Sequence, residues 1–166
     1  MSRLGAFIAK RWTIALLCAA SVSPALAAGH GLLGVGVGDI GVFESGDHFL
    51  ASLEWRTRSA WLGPFAPWIE VAGTEQGSGF AGAGVALDVS LGAHWHVVPS
   101  FGPVDYWHGD GEILGEALEF RSRIEFDYRF TDGERLGVSF AHISNANLAH
   151  RNPGTQTAEL RYWHPF

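Results

Sequence analysis

The chain has 166 residues, 47% of them hydrophobic, and 17 acidic against 11 basic side chains, for a net charge of −6 with neutral histidines. That acidic balance lacks the basic footprint that nucleic-acid binding needs, so no nucleic-acid partner is expected. A single cysteine, Cys18, excludes a disulfide framework.

Residues 1–27 read as a secretory signal peptide, followed by one domain over 28–166. Arg3, Lys10 and Arg11 form the basic region, 12–22 the apolar core, and Ala25-Leu26-Ala27 the small-residue cleavage site. The core is too short to span a bilayer. Cys18 lies inside it, with Ala15 where a lipoprotein site would have leucine. Removing this leader takes away three of the cations and no carboxylate, leaving eight cations, all arginine. No run of about 18 apolar residues follows, so no membrane-spanning helix is expected.

Eight segments then alternate with period two, which predicts strands. The first, 32–42, is rich in glycine and puts Leu33, Val35 and Val37 on one face. In 48–56, Phe49, Ala51, Leu53 and Trp55 alternate with His48, Leu50, Ser52, Glu54 and Arg56. The third, 66–73, sets Ile69 and Val71 against Trp68 and Glu70. The fourth is 80–89, and the fifth, 92–101, is less regular.

The sixth segment, 118–130, decides the class. One face reads Leu118, Phe120, Ser122, Ile124, Phe126, Tyr128, Phe130, and the other Glu119, Arg121, Arg123, Glu125, Asp127, Arg129. Charges of both signs interleave there, as they would when satisfying one another inside a small closed barrel. The turn Thr131-Asp132-Gly133-Glu134 leads into the seventh strand, and the eighth is 155–166 with an aromatic at its end. In lipid only helices and closed barrels satisfy their own backbone. The expected fold is therefore all-β, an eight-stranded antiparallel transmembrane barrel, with an exported lipocalin-like soluble barrel as the alternative. Trp55, Trp61, Trp68, Trp95, Tyr162 and Trp163, near strand ends, fit interfacial girdles. With both termini periplasmic, the turns at 57–64, 88–92 and 131–134 are periplasmic, and the loops 102–117 and 145–154 extracellular.

The seventh strand carries the chemistry. Leu136, Val138 and Phe140 share one face, and His142 and Ser144 continue it where apolar residues are expected. An imidazole beside a serine hydroxyl suits acyl transfer, because the hydroxyl is a weak nucleophile until a base takes its proton. Asn145, Asn147, Asn152 and Gly154 follow and can supply amide donors to a developing oxyanion. The bland reading of the pair is interfacial polarity.

Phe140-Ala141-His142-Ile143-Ser144-Asn145-Ala146, followed by Asn152-Pro153-Gly154, resembles the signature of PagL-type lipid A deacylases. The likeness is strongest over 136–166. It implies an outer-membrane barrel that hydrolyses the 3-O-linked acyl chain of lipid A, with His142 as general base and Ser144 as nucleophile. It also implies an oxyanion site at Asn145 and Asn152, no cofactor, and lipopolysaccharide of the outer leaflet as the partner. A second copy of the chain stays open as a further partner. The family's acidic third member falls fourteen residues after the histidine, where this chain has Gln156. A glutamine can orient the imidazole but cannot stabilise imidazolium by charge, and losing a triad carboxylate can cost on the order of 10⁴ in rate. Glu159 is the alternative carboxylate, with a parity that points it into the barrel.

Other candidates carry less. His94 and His96 share a face, but two ligands do not make a metal site, and no metal is expected. Asp105, Asp110, Glu112 and Glu116 lack EF-hand spacing and read as a solvated acidic loop. No helix follows Gly34-Val35-Gly36-Val37-Gly38, so these glycines read as room for neighbouring side chains rather than a nucleotide loop. His150 and Arg151 reach a lipid A phosphate or are plain loop residues. The rival readings of function are a structural or adhesive barrel without catalysis, and an acyltransferase.

Overall fold

A computed structural model describes residues 31–43, 48–58 and 63–166. The signal peptide read over 1–27 and the girdle position Trp61 lie outside the described residues. Eight antiparallel strands follow in order: β1 (Gly31–Ile40), β2 (His48–Thr57), β3 (Phe65–Thr74), β4 (Gly79–Leu87, resuming as Val89–Leu91), β5 (Trp95–Trp107), β6 (Leu118–Arg129), β7 (Arg135–Ser144) and β8 (Thr155–Pro165). Each pairs with its neighbour in sequence, and β1 pairs with β8, so the sheet closes into a barrel with no free edge. Phe166 completes the seam, exchanging backbone hydrogen bonds with Gly31 at 3.1 Å in both directions. No helix of the described residues is long and apolar enough to cross a membrane, which says nothing of a barrel.

The barrel is inside out relative to a soluble one. Leu33, Val35, Val37, Leu53, Val71, Phe101, Ile124, Phe126, Val138 and Leu160 form an exposed apolar wall, while Glu54, Arg56, Glu70, Arg121, Arg123, Glu125, Glu159 and Arg161 are buried in the lumen. Four arginines there face four glutamates. Arg161 alone meets Glu54 and Glu70 at 2.9 Å, Glu125 at 3.1 Å and Glu159 at 3.2 Å. Arg121 bridges Glu70 and Glu159, Arg56 bridges Glu54 and Glu125, and Arg123 is held by Glu54. Every such charge would be prohibitive alone in a low-dielectric interior, and each is tolerable only because its counter-charges surround it. Trp68 and Trp163, expected in an interfacial girdle, are instead fully buried, and Arg56 lies over the Trp163 ring at 4.1 Å. The lumen is thus a packed core. The apolar face turned outward suits a wall against lipid.

Three strand boundaries differ from expectation. The fifth strand runs from Trp95 to Trp107 rather than over 92–101, so the loop that follows it is 108–117. Pro99, Gly102 and Pro103 read as breakers, yet all three pair with β6, opposite Ile124, Arg121 and Phe120. Their cost falls on the other side, where the β4–β5 ladder skips from Gly82↔Val104 to Val85↔Phe101. The fourth strand breaks at Asp88 and resumes in unchanged register, Ala86↔Ser100 then Val89↔Val97. The Asp88 carboxylate there meets Arg135 Nη1 at 2.7 Å and His96 Nδ1 at 2.6 Å. The first strand ends at Ile40 rather than 42, because Gly41 (φ 83°) turns the chain away.

His94 and His96 do not share a face. His94 lies in the turn before β5, stacked on Tyr128, whereas His96 is buried in the lumen beside Asp88. At the same end, the turn between β6 and β7 is closed by Phe130 N–H to Glu134 C=O at 2.8 Å. The Tyr162 hydroxyl and His164 hold the exposed Glu134 carboxyl below its usual range.

Candidate active site

Strand register assembles a polar row on the outer wall. Ser122 on β6 lies opposite His142 on β7, and His142 lies opposite Gln156 on β8. The next row toward the loops pairs Phe120 with Ser144, and the next row down reads Ile124, Phe140, Ala158. All have the parity of the apolar wall, so a polar patch three strands wide sits at the rim of an apolar surface. His142 is exposed, and Ser144 and Gln156 are partly so. The sequence does not announce Ser122, since only register puts it beside His142; its one signal is a small polar residue in an apolar stripe.

The Gln156 side-chain Nε2 lies 3.2 Å from His142 Nδ1. Its backbone carbonyl accepts from Gly41 N–H at 2.8 Å, which ties the turn after β1 to this strand. Gly154 (φ 69°) lies close against the imidazole: a Cβ there would come within 2.6 Å of His142 Cε1 and 3.2 Å of Nε2. The ring is therefore gripped between Gln156 at one nitrogen and the Gly154 backbone at the other edge. Ser144 follows two residues along β7, about 7 Å by strand rise. Among the hydrogen bonds of the described residues none joins it to His142, and such contacts commonly tighten only when substrate binds.

The loop after β7 begins with a tight turn. Leu148 N–H bonds Asn145 C=O at 3.0 Å, with Ala146 (φ 53°) and Asn147 (φ 63°) both left-handed between them. Alanine pays about 1–2 kcal/mol for that conformation, so something must hold it. Asn145 does. Fully buried, it donates through Nδ2 to Leu114 C=O at 3.0 Å and Arg151 C=O at 2.7 Å, joining the 108–117 and 145–154 loops. Its own N–H bonds Asn152 Oδ1 at 3.0 Å, and Asn152 Nδ2 bonds Asn147 Oδ1 at 3.1 Å. In this arrangement Asn145 Nδ2 and one N–H of Asn152 Nδ2 are bonded within the loops, a scaffolding part that their positions in sequence did not reveal.

The remaining candidates separate from the row. Glu159 is buried in the lumen, bonded to Ser52, Arg121 and Arg161, and is out of reach of His142. Asp105 belongs to β5, while Asp110 and Glu116 are exposed in the loop. Glu112 meets Arg151 at 3.4 Å, and His150 is exposed. Among the described residues no three His, Cys, Asp or Glu side chains are grouped to hold a metal ion.

Known proteins share this fold. The crystal structure of the outer membrane enzyme PagL is similar to this chain at a TM-score of 0.64, covering 81% of this chain and 99% of that one at 23% identity, a likeness of fold. The lipid A deacylase PagL of Bordetella bronchiseptica (strain ATCC BAA-588 / NCTC 13252 / RB50) is 32% identical over 53 residues, which span 32% of this chain and only 30% of that relative. The family model described as lipid A 3-O-deacylase (PagL) matches residues 31–165, the whole barrel. The chain belongs to the PagL family.

Proposed function

We propose that this protein is an outer-membrane esterase that hydrolyses the 3-O-linked acyl chain of lipid A. Ser144 Oγ attacks the ester carbonyl while His142 Nε2 takes its proton. The tetrahedral oxyanion is held by amide donors of the loop that Asn145 and Asn152 shape. Collapse expels the sugar oxygen, which recovers the proton from His142. The same imidazole then deprotonates a water that cleaves the acyl-enzyme, releasing free fatty acid and restoring Ser144. Gln156 is the third member and accepts from His142 Nδ1–H through Oε1. That assignment takes the amide turned half a revolution, which exchanges two ends that differ only in hydrogen-bond sense. The chemistry requires no cofactor.

The observation that carries this reading is the pairing of His142 with Gln156 on the apolar outer wall, with Ser144 two residues nearer the loop rim. A substrate with acyl chains in lipid and an ester at headgroup level meets the patch without leaving its bilayer. The loop-bearing end accordingly faces outward, and lipopolysaccharide of the outer leaflet is the partner.

Mass spectrometry of lipid A from cells producing the wild type and Ser144→Ala tests this. Loss of one 3-O-linked acyl chain that is abolished in Ser144→Ala is the expected result. A heavier lipid appearing elsewhere in place of free fatty acid would make it an acyltransferase. Identical profiles in both would reduce the protein to a barrel without this chemistry.

A further inference from the structure

Gln156 leaves the row without the negative charge that normally backs a catalytic imidazole. The wall next to it carries one. Asp39 on β1 pairs with Ala158 on β8, and it continues the exposed parity of Leu33, Val35 and Val37. Its carboxylate thus projects from the same outer surface as Gln156, one strand over and diagonal to it. Diagonal neighbours across an antiparallel pair lie about 7–8 Å apart at Cα, within reach of an aspartate and a glutamine side chain. His142 is two strands from Asp39, about 10 Å across. The order along the surface is therefore carboxylate, amide, imidazole.

Two further observations bind this corner together. Gly41 N–H, two residues beyond Asp39, bonds the Gln156 carbonyl at 2.8 Å, so the end of β1 is fixed to the residue in question. Phe43 then lies with its ring 5.8 Å from that of Phe140 on β7. Val42 N–H also faces the Gln156 carbonyl, at 3.5 Å, so the chain leaving β1 stays against this residue of β8. A carboxylate on such a wall is costly without a partner.

We propose that Asp39 is a positioning residue for the His142–Gln156 pair. Its carboxylate accepts the Gln156 Nε2–H, turns Oε1 toward His142 Nδ1–H, and supplies the charge that favours imidazolium in the transition state. This rests on the catalytic reading above and assigns the part that a glutamine at 156 cannot play alone. At such a separation, in surroundings between water and protein, one unit charge is worth on the order of tenfold in rate.

The test is steady-state kinetics of the purified, folded barrel on 3-O-acylated lipid A in detergent micelles. The proteins compared are the wild type, Asp39→Asn, Asp39→Glu, Gln156→Glu, the double variant Asp39→Asn/Gln156→Glu, and Ser144→Ala. Asp39→Asn is expected to lower kcat about tenfold with KM unchanged, whereas Asp39→Glu, which keeps the charge, retains most of the rate. With a carboxylate already at 156, Asp39→Asn costs nothing, because the charge is supplied directly. Equal losses in both backgrounds, an unchanged kcat, or an effect on KM alone would overturn the proposal. Heat-modified gel mobility separates a variant that has not folded, and Asp39→Glu then carries the comparison. A wild type that releases no fatty acid, or release that persists in Ser144→Ala, sinks the catalytic reading itself and this inference with it.

Discussion

Gln156 stands opposite His142 across the β7–β8 ladder, its amide nitrogen 3.2 Å from the imidazole Nδ1. The contact gives orientation without charge. Gln156→Glu should therefore raise kcat by at least about tenfold, since a triad carboxylate is worth far more than its amide. Gln156→Ala, which removes the orienting contact, should lower it. Initial rates of fatty-acid release measure both, and a glutamate variant slower than the wild type would mean that 156 does not serve the imidazole.

Gly154 is the other side of the grip. Alanine there meets His142 Cε1 at 2.6 Å and must hold a φ of 69°, so the ring has to move. We expect Gly154→Ala to lose activity by about a hundredfold, as a misplacement of about 1 Å can cost that much. Thermal stability should fall by only about 1–2 kcal/mol, the left-handed penalty. Activity close to that of the wild type would show that the imidazole is not held there.

Asn145 can be tested by charge. Its Nδ2 donates to the Leu114 and Arg151 carbonyls, so an oxygen in its place would face two acceptors. Asn145→Asp should thus be no better than Asn145→Ala, each destabilising the two loops it joins by roughly 1–3 kcal/mol per carbonyl left unpaired. Hydrogen exchange at 108–117 and 145–154 reads this directly. An aspartate variant with native protection would remove Asn145 from the scaffold.

Arg161 sits among Glu54, Glu70, Glu125 and Glu159. Arg161→Leu strands those carboxylates and should cost about 3–5 kcal/mol in urea unfolding of the barrel. Because the lumen is separate from the wall, the surviving folded fraction should keep its kcat. A kcat that falls with stability in the folded fraction would couple the two.

The fold was legible because a barrel wall sorts side chains by parity, and the 118–130 stripe shows that sorting without interruption. The outward parity of His142 and Ser144 was legible for the same reason: two polar residues in the apolar parity of a strand are conspicuous. What escaped depends on register or on loop closure. Gly102 and Pro103 hid nearly half of β5, residues 102–107, since a breaker is tolerated when only one of two ladders loses a bond. Ser122 and Asp39 gain meaning only from the strands beside them. Asn145 and Asn152 were read as donors to a ligand, and their bonds to the loops, from Asn145 Nδ2 to Leu114 and Arg151 and from Asn152 Nδ2 to Asn147, had no signal in the sequence. His94 and His96, two apart, part company because the strand begins between them.

The charge-packed lumen has a kinetic consequence. With the interior filled by side chains and the candidate site on the wall, the acylated lipid proposed above as substrate would arrive sideways, by diffusion in two dimensions. The quantity that saturates such an enzyme is the mole fraction of substrate in the surrounding leaflet, so diluting lipid A with inert lipid should slow turnover at fixed bulk concentration.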